Sequence, residues 1–511
     1  FRSLILFSRK AHDRANLGVY HFLLQLRGHH HRHNSHLRRR PRSEMEMTAA
    51  NGGGERIKQS HVIVFPFPRH GHMSPMLQFS KRLISKGLLL TFLITSSASQ
   101  SLTINIPPSP SFHFKIISDL PESDDVATLD AYLRSFRAAV TKSLSNFIDE
   151  VLTSSSNEEV PPTLIVYDSV MPWVQSVAAE RGLDSAPFFT ESAAVNHLLH
   201  LVYGGSLSIP PPDNVVVSLP SEIVLQPEDL PSFPDDPEVV LDFMTSQFSH
   251  LENVKWIFIN TFDRLESKVV NWMAKTLPIK TVGPTIPSAY LDGRLEKDKA
   301  YGLNVSKSNN GKCPIKWLDS KETASVIYIS FGSLVILSEE QVKELTNLLR
   351  DTDFSFLWVL RESEMVKLPK NFVQDTSDRG LIVNWCCQLQ VLSHKAVSCF
   401  VTHCGWNSTL EALSLGVPMV AIPQWIDQTT NAKFVADVWR VGVRVKKNEK
   451  SVAIKEELEA SIRKIVVQGN GTNEFKQNAI KWKNLAKEAV DERGSSDKNI
   501  EEFVQALVAS N

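Results

Sequence analysis

The sequence is poor in cysteine and carries almost no net charge. Five cysteines in 511 residues is a small and odd number, which argues against the disulfide-stapled frame of a secreted protein. Lysine and arginine number 55 against 56 acidic residues, so the net charge is -1 and no overall field attracts nucleic acid or an anionic membrane. We therefore expect neither a nucleic acid nor a membrane as a partner.

Long apolar runs are also missing from the sequence. No stretch reaches the roughly 18 residues that a membrane helix needs, so we expect a soluble, cytoplasmic protein. Positive charge is concentrated at the start, where residues 1–42 hold ten Lys or Arg and one Asp. Because a regular pattern begins only after Gly54, we interpret residues 1–46 as a basic extension outside the fold, in preference to a nucleic-acid arm or a transit peptide.

Short apolar runs alternate with helical stretches from residue 60 onward. Continuous apolar strands separated by helices are typical of parallel sheets covered on both faces, so the predicted fold class is α/β. A polar stretch without a lasting period separates two doubly wound domains. The predicted parts are an N-terminal domain over 47–285, a linker over 286–314, a C-terminal domain over 315–485 and a last helix over 486–511. The strand-like runs are 61–65, 88–94, 163–167, 256–260, 326–331, 356–359, 380–383, 398–402 and 418–422.

A strand, a tight turn and a helix follow one another near the C-terminus. The strand over 398–402 leads into a turn that starts at His403, and the helix ends at Gly416. Free N–H groups at such a helix start form a site for a diphosphate. Asn407 or Ser408 can cap the helix or donate to the same anion. Glu411, one turn further on, can accept hydrogen bonds from a ribose or simply offset the helix dipole.

Two more loops follow strands at the same predicted sheet edge. Residues 385–388 follow the strand over 380–383, and residues 423–428 follow the strand over 418–422. In open parallel sheets, ligands bind beyond the carboxyl ends of the strands. We therefore expect a flat aromatic ring, an anion site and a carboxylate with an amide to converge on one crevice.

The stretch from Trp385 to Gln428 resembles the signature box of plant family 1 UDP-dependent glycosyltransferases. The resemblance extends from about His61 to the end of the chain. It implies a GT-B architecture, in which two Rossmann-like domains face a central cleft and the last helix returns to the N-terminal domain. The motifs that carry the resemblance are His403 to Ser408, Glu411, Gly416-Val417-Pro418, Asp427-Gln428, Phe331-Gly332-Ser333 and Gly494-Ser495-Ser496.

The resemblance also implies roles for individual side chains. Trp385 would stack on uracil, while backbone groups of Cys386 would read the edge of the base. A terminal glutamine such as Gln428 is associated in this family with glucose donors. The other donor contacts would be Gln388 and Glu411 to ribose, Ser333, His403, Asn407 and Ser408 to the diphosphate, and Thr190, Trp406, Asp427 and Gln428 to the sugar.

A second cluster follows the first predicted strand. His72 lies just before a predicted helix start, with Ser74 as the cap and Pro75 in the first turn, and the positive helix end disfavours a charged imidazolium. A neutral histidine in a cleft can act as a general base, although an isolated histidine is more often a core or surface residue. Asp168 ends the strand over 163–167 at the same edge and can fix the tautomer of His72. In the family that the chain resembles, His and Asp at these positions form the catalytic pair.

These patterns predict an inverting enzyme that moves glucose from UDP-glucose to a hydroxyl or carboxyl group of a small apolar metabolite. The acidic motif Asp351–Asp353 lies at the amino end of a strand, and the cysteines lack the spacing of paired zinc ligands, so we expect no metal and no further cofactor. A monomer is the expected state. The alternatives are a non-catalytic nucleotide-sugar binding protein and a dinucleotide-dependent oxidoreductase, although the sequence lacks a Gly-x-Gly-x-x-Gly motif after a strand.

Overall fold

Two lobes, each built on a parallel sheet, make up the described part of the protein. The computed structural model describes residues 60–104, 109–119, 128–153, 160–212, 216–220, 223–233, 236–305, 313–466 and 474–510. The basic extension over 1–46 lies outside these residues. The two parallel sheets, each covered by helices on both faces, confirm the predicted α/β class and the pair of Rossmann-like lobes.

The first lobe contains a seven-stranded parallel sheet. Its strands are β1 (His61–Phe65), β2 (Leu89–Thr95), β4 (Phe112–Ile117), β5 (Pro162–Asp168), β6 (Asp184–Phe189), β9 (Ile257–Ile259) and β10 (Ile279–Thr281), and short strands outside it are β3 (Leu102–Ile104), β7 (Val217–Ser218), β8 (Val224–Leu225) and β11 (Leu303–Val305). The strand order is β10-β9-β6-β5-β1-β2-β4. Successive residues of a strand face opposite sides, so Val62 and Val64 pack on one face while Ile63 and Phe65 pack on the other.

Helices cover both faces of this first sheet. They are α1 (His70–Ser85), α2 (Ser96–Ser101), α3 (Leu129–Thr153), α4 (Trp173–Ala179), α5 (Ala193–Tyr203), α6 (Pro237–Ser246) and α7 (Asp263–Met273). The predicted start of α1 at Ser74 is wrong: Arg69 precedes the helix in an extended conformation, and Pro75 lies inside it. His72 therefore belongs to the first turn of α1 instead of preceding it.

The second lobe contains a six-stranded parallel sheet in the order β14-β13-β12-β15-β16-β17. Its strands are β12 (Val326–Ser330), β13 (Ser355–Val359), β14 (Gly380–Val383), β15 (Val397–Thr402), β16 (Met419–Ala421) and β17 (Gly442–Arg444). Its helices are α8 (Pro314–Asp319), α9 (Glu339–Asp351), α10 (Glu362–Met365), α11 (Phe372–Asp375), α12 (Gln388–Leu392), α13 (Trp406–Leu415), α14 (Gln428–Lys433), α15 (Lys455–Val466) and α16 (Glu474–Val490).

The last helix of the chain, α17 (Ser495–Ala509), packs on the first lobe. The ring of Phe503 lies 4.9 Å from the ring of Phe258 in β9. Lys86 at the end of α1 forms an ion pair of 2.7 Å with Glu501 of α17. The chain thus crosses from the second lobe back to the first, which links the two lobes a second time.

Candidate active site

Each sheet has one strand, β1 in the first and β12 in the second, from which the chain continues to further strands on both sides of it. In the first sheet, β2 and β4 lie on one side of β1, and β5, β6, β9 and β10 lie on the other. In the second sheet, β13 and β14 lie on one side of β12, and β15 to β17 lie on the other. Such divergence opens a crevice beyond the carboxyl ends of the strands, where ligands of this kind of fold bind. The predicted site residues lie at the strand ends around these two positions and on the loops and helices that follow them.

His72 and Asp168 meet beside the first position. His72 Nδ1 is 2.9 Å from Asp168 Oδ2, and Asp168 is the last residue of β5. The carboxylate is fully buried and also accepts hydrogen bonds from the backbone N–H groups of Phe67 at 3.2 Å and Val170 at 3.4 Å. These bonds hold the carboxylate so that it orients the imidazole and leaves Nε2 for another partner.

The surroundings of His72 raise its pKa. Burial lowers the pKa, but the charge of Asp168, its hydrogen bond and the charge of Glu191 together outweigh burial. The ring of Phe67 packs edge-on at 5.5 Å, and Thr190 Oγ1 lies 3.2 Å from Nδ1. The His72 side chain remains 25% exposed, so the imidazole is not closed off from solvent. The positive helix start was expected to keep His72 neutral. The effect of Asp168 is larger and raises the pKa instead.

His403 follows β15 at the second position, and two glycines enclose its ring. A Cβ atom at Gly332, whose φ is +72°, would lie 2.8 Å from the ring, and a Cβ atom at Gly405 would lie 2.5 Å from Nε2. Glycine therefore makes room for the imidazole. Burial lowers the pKa of His403 to about 4, so near pH 7 the ring is neutral and offers an N–H group instead of a charge. Its buried Nδ1 has no hydrogen-bond partner among the described residues.

Helix α13 begins directly after this turn. Gly405 takes the N-cap position, and the helix starts at Trp406. Asn407 and Ser408 consequently lie inside the first turn and do not cap the helix, although the sequence allowed that role. The backbone N–H of Trp406 donates to Asp427, so the N–H groups that follow it in this turn form the site at which an anion is expected to bind.

Asn407 connects this turn to the first lobe. Its Nδ2 donates to the carbonyl oxygen of Gly71 at 2.7 Å. Pro75 explains why that oxygen is available, because proline has no N–H to donate to the carbonyl four residues earlier in α1. The helix start of α13 therefore touches the residue that precedes His72.

Glu411 belongs to a buried group of polar side chains one turn further along α13. Gln388 Nε2 donates to Glu411 Oε2 at 2.8 Å and to Ser408 Oγ at 2.9 Å, while Tyr328 Oη donates to Gln388 Oε1 at 3.1 Å. Tyr301 Oη donates to Glu411 Oε1 at 2.9 Å. Burial raises the pKa of Glu411 to about 7, although the hydrogen bonds from Gln388 and Tyr301 oppose this shift. The structure thus brings together both residues that were expected to hold ribose.

Asp427 takes the N-cap position of α14, and Gln428 is the first residue of that helix. Asp427 Oδ2 accepts hydrogen bonds from the backbone N–H of Trp406 at 3.1 Å and from Asn431 Nδ2 at 2.7 Å. Burial raises the pKa of Asp427 to about 6. Gln428 Oε1 accepts two backbone N–H groups of its own loop, at 2.9 and 3.3 Å. The carboxylate and the amide are therefore fixed close to the start of α13.

The ring of Trp406 does not have the sugar-facing position expected for it. The residue is only 3% exposed, and its Nε1 donates to the carbonyl oxygen of Asn260 in the first lobe at 2.7 Å. The ring also lies 6.0 Å from that of Trp439. The indole is thus committed to the contact between the lobes, and only the backbone N–H of Trp406 is tied to Asp427.

Trp385, Cys386 and Ser333 lie on the loops that follow β14 and β12. Trp385 is half-buried, and the carbonyl oxygen of the exposed Ser333 accepts a hydrogen bond from Arg361 at 2.8 Å. Cys386 Sγ lies 3.3 Å from Tyr328 Oη, and burial raises the pKa of this thiol to about 12. Cys386 is therefore a neutral thiol, which leaves its backbone groups as the expected contacts to a base.

Two residues near the site did not emerge from the sequence as functional. Glu191 follows Thr190 after β6, and burial, followed by the charge of Asp427, raises its pKa to about 8. The position of Glu191 directly after a strand is a sequence signal that could have identified it as a site residue. Tyr301 lies in the segment that was predicted to be a linker, where no periodic pattern drew attention to it.

Metal sites and membrane spans were also sought in the described part of the chain. No group of three or more His, Cys, Asp or Glu side chains there is arranged to hold a metal ion. Asp351, from the acidic motif, ends α9 and pairs with Lys455. None of the described helices is both long and apolar enough to cross a bilayer.

The sequence is closely similar to known plant enzymes along most of its length. It is 71% identical over 470 residues to a mogroside I-E synthase of Siraitia grosvenorii, which covers 91% of this chain and 100% of that protein. It is 44% identical to UDP-glycosyltransferase 74E2 of Arabidopsis thaliana, over 87% of this chain and 98% of that protein. The chain belongs to the plant family 1 UDP-glycosyltransferases. Residues 298–490 also match the family described as UDP-glucoronosyl and UDP-glucosyl transferase.

Solved structures of UDP-glycosyltransferases share the fold of this chain. Os79 from O. sativa, in complex with UDP, superposes with a TM-score of 0.78 at 35% identity and covers 87% of this chain and 100% of that one. Another structure of Os79 contains U2F and a trichothecene, with a TM-score of 0.75 at 34% identity. The protein described here is thus a GT-B enzyme, a UDP-sugar glycosyltransferase that acts on small metabolites.

Proposed function

We propose that this UDP-glycosyltransferase is an inverting glucosyltransferase that moves glucose from UDP-glucose to a hydroxyl or carboxyl group of a small apolar metabolite. The observation that carries the proposal is the hydrogen bond between Asn407 and the carbonyl oxygen of Gly71. Because Gly71 directly precedes His72, this contact supports the proposal that the base lies beside the site of the leaving diphosphate.

The first lobe would supply the base. His72 Nε2 accepts the proton of an acceptor hydroxyl while the acceptor oxygen forms a bond to the anomeric carbon. Asp168, at 2.9 Å from Nδ1, stabilises the imidazolium that results. A carboxylic acid acceptor is already ionised near neutral pH and does not need this proton transfer.

The second lobe would hold the donor and stabilise the leaving group. The bond between the anomeric carbon and the diphosphate oxygen breaks as the new bond forms, and UDP leaves with the electron pair. The N–H groups at the start of α13 and the neutral His403 donate hydrogen bonds to the developing charge. A single displacement converts an α-linked donor into a β-glucoside or a β-glucose ester.

The remaining donor contacts follow from the same arrangement. Trp385 would stack on the uracil, Gln388 and Glu411 would hold the ribose, and Asp427 and Gln428 would bind glucose hydroxyls. Asn407, Ser408 and the region of Ser333 would complete the diphosphate site. Trp406 would make no direct contact through its indole N–H, which already bonds to Asn260, and its backbone N–H would hold Asp427 in place. No metal and no further cofactor enter this scheme, and it operates in a single chain.

The proposal is tested by incubating the purified protein with several UDP-sugars and a panel of phenols, terpenoid alcohols and aromatic acids. UDP-glucose should be the preferred donor, and the coupling constant of the anomeric proton in the product should show a β linkage. His72→Ala should lower the rate with hydroxyl acceptors by about 100-fold or more.

His70→Ala provides the matched control, since His70 is two residues away and is not the proposed base. This variant should retain activity within a few-fold. A protein that binds UDP-glucose but transfers no sugar to any acceptor would instead be a nucleotide-sugar binding protein. An α-linked product would rule out the inverting mechanism.

A further inference from the structure

Residues 288–305, which we call the strap, are held firmly on the first lobe. Arg82 of α1 binds Asp292 through both guanidinium nitrogens, at 2.5 and 2.8 Å. Lys81 of α1 pairs with Asp298 at 2.6 Å and donates to the carbonyl oxygens of Ala300 and Tyr301. The strap ends in β11, which pairs with β3. The segment that was predicted as a linker is thus bound to the first lobe by ion pairs, hydrogen bonds and strand pairing.

Tyr301 extends from the strap across to the second lobe. Its hydroxyl donates to Glu411 Oε1 at 2.9 Å, and its ring lies 6.5 Å from that of His70 at the start of α1. Burial raises the pKa of Tyr301 well above its ordinary value, so the phenol keeps its proton and acts as a donor. The residue stands between the helix that carries the candidate base and the helix that carries the ribose carboxylate.

The position of Tyr301 conflicts with the binding of a ribose to Glu411. Both carboxylate oxygens already accept a hydrogen bond, Oε2 from Gln388 and Oε1 from Tyr301. Each carboxylate oxygen can accept a second hydrogen bond, but Glu411 is only 6% exposed, so little of Oε1 is open to another donor while the phenol is in place. A ribose hydroxyl therefore competes with the Tyr301 hydroxyl for access to Oε1.

We propose that Tyr301 is a gate of the nucleotide site, which closes the ribose position by donating to Glu411 and is displaced when the donor binds. This inference rests on the proposed role of Glu411 in holding ribose. The strap fixes the backbone of Tyr301 to the first lobe, so the gate opens by rotation of the side chain or by separation of the lobes. Part of the binding free energy of the donor is then used to break the bond between Tyr301 and Glu411.

The substitution Tyr301→Phe tests the gate, because it removes the hydroxyl and keeps the ring. The closed state loses its bond to Glu411, while the state with bound donor loses nothing. The dissociation constant of UDP, measured by calorimetry, should therefore fall by about 3- to 10-fold, in line with the loss of one competing hydrogen bond. The KM for UDP-glucose should fall as well, whereas kcat should not rise.

A ligand without ribose hydroxyls separates the gate from a general loosening of the site. The probe is 2′,3′-dideoxy-UDP, which cannot donate to Glu411 and gains little from removal of the Tyr301 hydroxyl. Its dissociation constant should change less than 2-fold between the wild type and Tyr301→Phe. An equal gain for both ligands, or weaker binding of UDP to Tyr301→Phe, would overturn the gate.

Two further variants distinguish a failure of the gate from a failure of the proposed function. Tyr203→Phe removes a hydroxyl from a half-exposed tyrosine of α5 in the first lobe, whose ring lies 6.2 Å from that of Phe248, so UDP binding should stay unchanged. Glu411→Ala should weaken the binding of UDP. If Glu411→Ala binds UDP as well as the wild type does, the ribose assignment fails. If it binds weakly and Tyr301→Phe gives no gain, only the gate fails.

Discussion

Two histidines in this site, the buried His403 and the partly exposed His72, differ in pKa because they differ in partners. Burial acts on both rings and favours the neutral form. At His403 nothing opposes burial, and the pKa falls to about 4. At His72 the charge and the hydrogen bond of Asp168 outweigh burial, and the pKa is raised. His403 is therefore suited to donate a hydrogen bond without charge, and His72 is suited to take up a proton.

The raised pKa of His72 predicts a limit on activity at acidic pH. Only neutral His72 can accept a proton, so kcat/KM for a hydroxyl acceptor should decline as the pH falls through a midpoint above 6.5, the ordinary value. A carboxylic acid acceptor does not require the base, and its profile should lack this decline. The measurement is a pH profile of kcat/KM with one acceptor of each kind.

Asp168→Asn and Glu191→Gln give the controls for this profile. Asp168 contributes the largest effect that raises the pKa of His72, and the contribution of Glu191 is smaller. Asp168→Asn should therefore move the acidic decline to lower pH and lower the maximal rate by about 10- to 100-fold. Glu191→Gln should move the decline less. A decline that stays in place in Asp168→Asn would assign it to a group other than His72.

The residues of the site that could be read from the sequence share one position in the fold. His72, His403 and Asp427 follow apolar strands and Asp168 ends one, and the carboxyl ends of parallel strands meet at one edge. Tyr301 has no such marker. It lies in a polar segment without a period, 110 residues away from Glu411 in the chain, so only the folded arrangement reveals their contact.

At the scale of elements, helix α1 lacks one of its backbone hydrogen bonds, and the free acceptor makes a contact between the lobes instead. Pro75 occupies the sixth position of the helix and cannot donate to Gly71. The carbonyl oxygen of Gly71 accepts instead from Asn407 of α13 at 2.7 Å. A proline inside a helix ordinarily destabilises it by about 3 kcal/mol, and here it leaves an acceptor free at the catalytic cleft.

Pro75→Ala should restore a helical N–H that competes with Asn407 for the Gly71 oxygen. We expect the free energy of unfolding to stay the same or to rise, while kcat/KM for UDP-glucose falls by about 3- to 10-fold, because one hydrogen bond between the lobes is weakened. Thermal unfolding and steady-state kinetics would measure the two effects.

The control for Pro75→Ala is Ser85→Ala at the far end of the same helix. Among the described residues, the Ser85 hydroxyl bonds only to the carbonyl oxygen of Arg82 within its own turn, so kcat/KM should remain within 2-fold of the wild type. Equal kinetics in Pro75→Ala and the wild type would contradict a role for the free Gly71 oxygen. A large loss of stability in Pro75→Ala would show that the proline serves the helix itself.

The strands that the sequence analysis missed have a physical reason for their weak signal. In the two parallel sheets they are β4, β6, β10 and β17, and three of them (β4, β10 and β17) lie at sheet edges. Edge strands are partly exposed and carry polar residues, as β10 does at Lys280 and β17 at Arg444. The interior strand β6 contains Pro187, which interrupts an apolar run. The central strands, in contrast, show continuous apolar runs because both of their faces are covered.

At the scale of the whole molecule, contacts far from the cleft set the relative position of the lobes. Trp439 Nε1 donates to the carbonyl oxygen of Leu265 at 3.1 Å. The loop before α6 reaches the second lobe at Asp229, which is buried and forms ion pairs with Arg444 and, at 3.5 Å, with Lys433. Lys433 ends α14, the helix that begins at Gln428. Asp229 therefore couples the first lobe to the helix next to the proposed glucose site.

Asp229→Asn should loosen this coupling, because it removes the charge that holds Arg444 and Lys433 while the side chain keeps its shape. The two cations are only partly exposed, so their loss of a partner should lower the free energy of unfolding by roughly 2 kcal/mol. kcat/KM for UDP-glucose should fall by about 5- to 20-fold, since both lobes must hold the donor and the base in the correct relative position.

Asp437→Asn is the matched control, because Asp437 pairs with the same Lys433 at 2.8 Å but within one lobe. It should alter kcat/KM by less than 2-fold, and similar losses in both variants would mean that the charge near Lys433 matters while the contact between the lobes does not.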